Sequence, residues 1–317
     1  MNEEMIKEAV AAGRSSARSV MQVRHSQLEK RRALFPVAED SDAVLHAAAK
    51  GVPLGLVEGV GGRSREDVLI AEGDSWFDYP WHDVLSMLED RHGYEVEEVA
   101  HRGDRIEDMA YSGGQLAKFA RKIEKSIRRG EVPKAVLLSG GGNDIAGDDF
   151  HMLLNHRDSS TAGVNEFVAA GVIDERLMES YARILGRISE VSQSLIGRDL
   201  PVLVHGYGYT VPDGRGYGGG WGPLPGPWLE PGFERKGYAR SAMDERREIV
   251  RSLIDRFNLR LAELATLDPF ANFVHYIDLR LLLPDTEEWW ANELHPTRVG
   301  FERVSDRFQE ALSQLEI

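Results

Sequence analysis

Apolar residues fall along this chain in two alternating rhythms: short unbroken runs, and longer stretches with helical spacing. The runs VLIAEG at 68–73 and AVLLSG at 135–140 predict buried strands, and PVLVHG at 201–206 and FVHYIDL at 273–279 predict two more, three of the four stopped by a glycine. YEVEEVA at 94–100 alternates and predicts one more. Between these runs, apolar residues recur every three or four positions: Val84, Leu85 and Leu88; the stretch 116–127; Leu177, Tyr181, Ile184, Leu185, Ile188 and Val191; and Val250, Leu253, Ile254, Phe257, Leu261 and Leu264. That spacing predicts helices. Thr297 is placed to cap a last helix carrying Val304, Phe308 and Leu312. Strands alternating with helices imply crossover connections, hence an α/β fold whose mostly parallel sheet of about five strands is covered on both faces.

Two segments break the rhythm. In residues 1–65, Met5, Ile6, Val10, Val20, Met21 and Leu28 are spread among charges as on an amphipathic helix, and a looser stretch ends in Gly59, Gly61 and Gly62. This predicts an N-terminal helical extension and linker ahead of a main domain at 66–317. A helix packed on that domain is the simple expectation, and a surface for a partner is its rival. Residues 206–237 read GYGYTVPDGRGYGGGWGPLPGPWLEPGFERKG, where glycine and proline argue against regular structure. Solvated linkers rarely carry so many aromatics. The segment therefore predicts an ordered loop over the strand ends that shapes a site, with Tyr207, Tyr209, Trp221 and Trp228 as candidates for substrate contact. The alternative is a loop whose aromatics simply plug into the domain.

Charge and composition narrow the function classes. A net charge of −14 argues against a nucleic-acid partner, because phosphate binding draws on Lys and Arg. There is no cysteine, which excludes disulfides, zinc-thiolate sites, iron–sulfur clusters and a thiol nucleophile. Glu3, Glu4, Lys7 and Glu8 interrupt any signal-like apolar run, and no stretch approaches the roughly 20 apolar residues of a transmembrane helix. The expectation is a cytoplasmic protein with no transmembrane segment. Asp148, Asp149, His151 and His156 match no familiar metal spacing, and the glycine tracts match neither a phosphate loop nor a dinucleotide fingerprint. Neither metal nor organic cofactor is expected.

In an open parallel sheet, ligands bind outside the carboxyl ends of the strands. Three chemically suggestive segments follow predicted strands: EGDSWFDYP with Ser75, AHRGDRIEDM with Gly103, and SGGGNDIAG with Asn143. A fourth, NELHPTRVGF, puts His295 ahead of the last helix. A serine in a tight turn after a strand suits a nucleophile, and a histidine titrating near neutrality suits its base. A backbone N–H beside a glycine and an Asn amide suit an oxyanion. Each segment alone is common turn chemistry; their order along the chain raises the odds.

These segments resemble the SGNH hydrolases, the GDSL esterase/lipase family, over roughly residues 67–317. GDSW matches the nucleophile segment with tryptophan in place of the usual leucine, GGND the asparagine segment, and HPT the histidine segment. The resemblance implies a flavodoxin-like three-layer α/β/α sandwich. It makes Ser75 the nucleophile and His295 the base, with Ser75, Gly103 and Asn143 as oxyanion donors; Gly113 and Gly114 are alternatives to Gly103. It implies a carboxylic ester hydrolase working through an acyl-enzyme on a small-molecule ester or acylated substrate, without choosing among acetylated sugars, short-chain esters, thioesters and lipids.

One position departs from the family. Where an Asp usually stands three residues before the histidine, this chain has Asn292. An Asn carbonyl orients a catalytic histidine in papain-like enzymes. Asn292, a backbone carbonyl, Glu293, Glu288 and Asp285 all remain open as the partner of His295. The same departure motivates a rival function, a non-catalytic ligand- or partner-binding module on the same scaffold. The oligomeric state is not legible.

Overall fold

The computed structural model describes residues 2–34, 68–219 and 224–315. The expected linker ending at Gly59, Gly61 and Gly62, the boundary at 65–66 and the candidate Trp221 lie outside the described residues.

Five parallel strands form the main sheet: β1 (Val68–Glu72), β2 (Glu95–Glu98), β3 (Ala135–Leu138), and, after a small antiparallel pair β4 (Leu154–Asn155) and β5 (Gly163–Val164), β6 (Val202–His205) and β7 (Val274–Ile277). Their order is β2-β1-β3-β6-β7, the doubly wound order of a flavodoxin-like sandwich. The unbroken apolar runs are explained by burial on both faces. Leu69 and Ala71 enter one core while Ile70 enters the other, and Ala135 and Leu137 oppose Val136 and Leu138 in the same way.

Helices α2 (Val84–His92) and α10 (Arg298–Ser313) cover one face. Between β2 and β3 run α3 (Ile106–Tyr111) and α4 (Gly113–Arg128), and after β3 come the short α5 (Gly142–Ile145) and α6 (Glu166–Ala169). The second face is covered by α4, by α7 (Met178–Ile196) and, beyond the short α8 (Glu230–Arg235), by α9 (Met243–Thr266). Thr297 caps α10 as expected, its side chain accepting the Gly300 N–H at 3.3 Å. Helix α8 is a departure from the expectation of an irregular loop at 206–237: Pro231 stands in its first turn, where a missing N–H costs nothing.

The N-terminal helix α1 (Glu3–Leu34) lies against α7 at backbone contact distance. A Cβ added at Gly13 would sit 2.2 Å from the Arg183 carbonyl oxygen, and one at Gly186 would sit 2.7 Å from that of Val10. The buried face of α1 thus runs through small residues, Ala9, Gly13 and Ala17, as much as through Ile6 and Val10. Arg24 adds a largely buried ion pair with Glu124 of α4.

Candidate active site

From β1 the chain crosses to β2 on one side, whereas from β3 it moves to β6 on the other. The crevice between the carboxyl ends of β1 and β3 is where such a sheet accepts a ligand. Ser75 leaves β1 there and Asn143 leaves β3 there.

The turn carrying Ser75 is fixed by its neighbours. A Cβ on Gly73 would stand 2.7 Å from that of Ser139, so only glycine lets β1 end this close to β3. Asp74 is buried; its Oδ1 accepts the Trp76 N–H at 3.0 Å and the Ser139 hydroxyl at 2.8 Å. Its Oδ2 accepts the Tyr207 hydroxyl at 2.6 Å. One carboxylate therefore ties the Ser75 turn to the ends of β3 and β6. On the other side of the crevice, Gly141 holds φ +98° with Phe257 against it, a conformation that favours glycine, and starts α5. Asn143 then donates from Nδ2 to the Asp104 carbonyl at 3.0 Å. Asp144 accepts the Ile106 N–H at 2.9 Å, and burial pushes its carboxyl up to about 6 against that bond.

Ser75 Oγ and His295 Nε2 are 2.7 Å apart, although 220 positions separate them. Behind the imidazole, Nδ1 lies 2.9 Å from Asn292 Oδ1. The same Oδ1 accepts the backbone N–H groups of Leu294 at 3.0 Å and His295 at 2.9 Å. Two backbone donors identify that atom as the carbonyl oxygen, so Nδ1 must carry the proton and Nε2 presents its lone pair to Ser75. The three carboxylates weighed as alternatives point elsewhere: Asp285 pairs with Arg251, Glu288 is exposed, and Glu293 faces the aromatic loop.

His295 is buried, and desolvation alone lowers its pKa to about 3. Tyr79 stacks on its ring with centroids 4.3 Å apart and accepts from Asn292 Nδ2 at 3.0 Å, while Trp228 meets it edge-on at 5.5 Å. Glu293 is fully buried and accepts four backbone N–H groups: Gly214 and Glu230 on Oε1, both at 3.1 Å, and Trp228 and Leu229 on Oε2 at 2.6 and 2.8 Å. Burial raises its carboxyl to about 7 against those donors.

Ser75 and Asn143 open onto a cavity of about 80 Å³. Its far walls are apolar, chiefly Val250, Leu253, Ile254 and Phe257 from one face of α9 together with Phe150 and Leu229. Tyr207 lines it as well. Gly103 sits at φ +86° in an exposed turn after β2 and is not among the lining residues. Gly113 and Gly114 begin α4, further along the chain. Tyr209 turns to Asp255 and Arg251, outside the cavity. Among the described residues, no group of three or more His, Asp or Glu side chains is arranged to hold a metal, and no helix is long and apolar enough to cross a membrane.

Three contributors were not singled out from the sequence. Asp74 was visible only as the middle letter of GDS. Tyr79 belongs to the aromatic run WFDYPW directly after the serine, a signal that could have drawn attention. Glu293 was weighed only as a partner of His295.

No protein-family model matches the chain, and no curated protein matches it. Among solved structures it is similar to a Streptococcus pneumonia chain provisionally described as a platelet activating factor, at 14% identity and TM-score 0.43, covering 92% of this chain and 99% of that one. It is also similar to AlinE4, an SGNH-hydrolase family esterase, at 16% identity and TM-score 0.33, covering 80% of this chain and 97% of that one. Neither likeness assigns an activity to this chain.

Proposed function

We propose that the protein is a serine-dependent carboxylic ester hydrolase of the SGNH type, acting on a small-molecule ester through an acyl-enzyme. The observation that carries this is the relay from Ser75 Oγ to His295 Nε2 at 2.7 Å and from His295 Nδ1 to Asn292 Oδ1 at 2.9 Å, with Ser75 opening onto an apolar cavity.

In this scheme Ser75 Oγ attacks the ester carbonyl carbon as its proton passes to Nε2 of His295. Asn292 holds the other ring N–H throughout. The oxyanion is met by the Ser75 backbone N–H and by Asn143, whose bond to Asp104 uses one amide hydrogen and fixes the orientation of the other. The family resemblance offers Gly103 as a third donor; it lies in an exposed turn outside the lining of the cavity, so the reading rests on the first two. The tetrahedral intermediate collapses, the alcohol departs with the proton from His295, and water repeats the sequence on the acyl-serine. The apolar cavity takes the acyl chain, and no step calls for a metal or organic cofactor.

A fluorophosphonate probe tests this directly. It should label the wild type at Ser75, leave Ser75→Ala unlabelled, and label His295→Ala at least about a thousandfold more slowly. Equal labelling of wild type and Ser75→Ala would remove Ser75 from its role. No labelling, together with no turnover of short-chain nitrophenyl esters, would favour the binding-module alternative instead.

A further inference from the structure

Trp81 is the one non-glycine residue with positive φ among the described residues, at +70°. Left-handed backbone is a genuine outlier for a bulky side chain and carries a strain cost. The strain does not bury the indole, which is 80% exposed. It sets the ring over Tyr217, with centroids 6.2 Å apart and planes 24° from parallel. Tyr217 meets Tyr79 edge-on at 5.7 Å, and Tyr79 stacks on His295. A file of rings thus leads from solvent to the histidine.

This file and the cavity divide the site. Ser75 and Asn143 line the cavity, whereas His295, Tyr79, Tyr217 and Trp81 do not. In ester cleavage the departing oxygen takes its proton from His295, so the alcohol part of the substrate lies on the histidine's side while the acyl part lies in the cavity. The file of aromatic faces starts at the ring of that same histidine.

We propose that Trp81 and Tyr217 form a subsite for the alcohol portion of the substrate, and that this portion is a six-membered ring with an apolar face, either an aryl group or a sugar. The proposal rests on the hydrolase reading for the direction of the ester, while the stacking of a free ring alcohol does not depend on turnover. The strain at Trp81 holds the indole ready before substrate arrives, so binding loses little side-chain freedom.

Two measurements separate the subsite from the chemistry. In the first, Ser75→Ala protein is titrated with benzyl alcohol, methyl glucoside and 3-methylbutanol by saturation-transfer NMR. At least one ring alcohol should bind more tightly than acyclic 3-methylbutanol, with a preference on the order of fivefold that is lost in Ser75→Ala/Trp81→Gly. Benzyl alcohol alone would identify an aryl group, and methyl glucoside alone a sugar. In the second, the ratio of kcat/KM for the acetate of the ring alcohol that binds, benzyl acetate or methyl 6-O-acetylglucoside, over 3-methylbutyl acetate is compared in wild type and Trp81→Gly. The ratio should fall by a similar factor, chiefly through KM, and Trp81→Phe should restore most of it. Glycine adopts φ +70° freely, so the Tm of Trp81→Gly should be unchanged or higher. A lower Tm with an unchanged ratio would make Trp81 a packing residue and overturn the proposal, as would equal binding of all three alcohols. Ring binding without any ester turnover would overturn the hydrolase reading and leave the subsite standing.

Discussion

Asn292 meets His295 twice: its Oδ1 lies 2.9 Å from the imidazole Nδ1 and also accepts the backbone N–H of the same residue at 2.9 Å. The second contact gives the first its meaning. With the carbonyl oxygen held toward the ring by backbone donors, the amide supplies the tautomer that a carboxylate would supply. What it does not supply is a negative charge, so in the proposed mechanism an imidazolium at this desolvated position would have a dipole, not a carboxylate, to stabilise it.

The pH dependence of turnover should reflect this. His295 must be neutral to act as a base, and burial lowers its pKa to about 3. His295 should therefore add no inflection near the usual histidine value of about 6.5: in Glu293→Gln, where the carboxyl that burial raises to about 7 is gone, initial kcat/KM for a short-chain nitrophenyl ester should show no histidine-like inflection between pH 7 and pH 5. The stability effect has the same sign. Below about pH 6.5 the unfolded chain binds a proton that the folded one refuses, so stability falls as pH drops towards 3. Asn292→Asp should move the acid limb upward, because the carboxylate stabilises the imidazolium. At pH 8 it should raise turnover on the order of tenfold, the gain of a charge-assisted hydrogen bond. An inflection near 6.5 that persists in Glu293→Gln, or a large loss at pH 8 in Asn292→Asp, would contradict the assignment.

How far the chain could be read without coordinates follows from what each signal encodes. The five main strands and the long helices were legible because apolar runs and helical spacing report burial, and burial is what the sheet imposes on β1 and β3. That Ser75 and Asn143 leave strand ends and that His295 precedes the last helix was legible in their segments. The choice of Asn292 over Glu293 was not. A bridge between Trp290 and Pro296 folds that segment back on itself, and its two neighbouring side chains then point opposite ways, Asn292 to His295 and Glu293 to the loop at 214–230. Spacing along the chain carries no information about that division. The pair β4 and β5 was too short to leave a periodic trace, and the close face of α1 is made of residues that hydrophobic patterns do not count.

That close face can be tested by enlarging it. A methyl group at Gly13 would stand 2.2 Å from the Arg183 carbonyl, a contact that only movement of α1 or α7 relieves. Gly13→Ala should destabilise the protein by about 1–3 kcal/mol, the usual range for overpacking, and lower Tm by several degrees. Gly13 is not among the residues lining the cavity, so kcat measured below the transition should match the wild type. A Tm equal to that of the wild type would mean that α1 does not dock on α7 in solution.

Glu293 provides the last test. Its carboxylate gathers N–H groups from two arms of the aromatic loop, Gly214 on one and Trp228, Leu229 and Glu230 on the other. Its backbone adds two further ties, accepting the Thr210 hydroxyl and donating to the Arg215 carbonyl at 3.2 Å. Leu229 walls the cavity and Trp228 abuts His295, so the same side chain sets the shape of the cavity and the cover of the histidine. Glu293→Ala would leave four donors without an acceptor in a place from which water is excluded. Each such orphan costs about 1–3 kcal/mol, and opening of the loop to solvent would relieve part of the total. The expected result is a loss of at least about 3 kcal/mol in urea unfolding, rapid proteolysis within residues 206–237, and a fall in kcat/KM on the order of a hundredfold. Glu293→Gln, which keeps one acceptor oxygen but turns an amide toward two of the donors, should fall between. If Glu293→Ala kept wild-type kcat/KM and resisted protease, the loop would hold its place without the carboxylate, and its tie to the histidine segment would have no part in shaping the site.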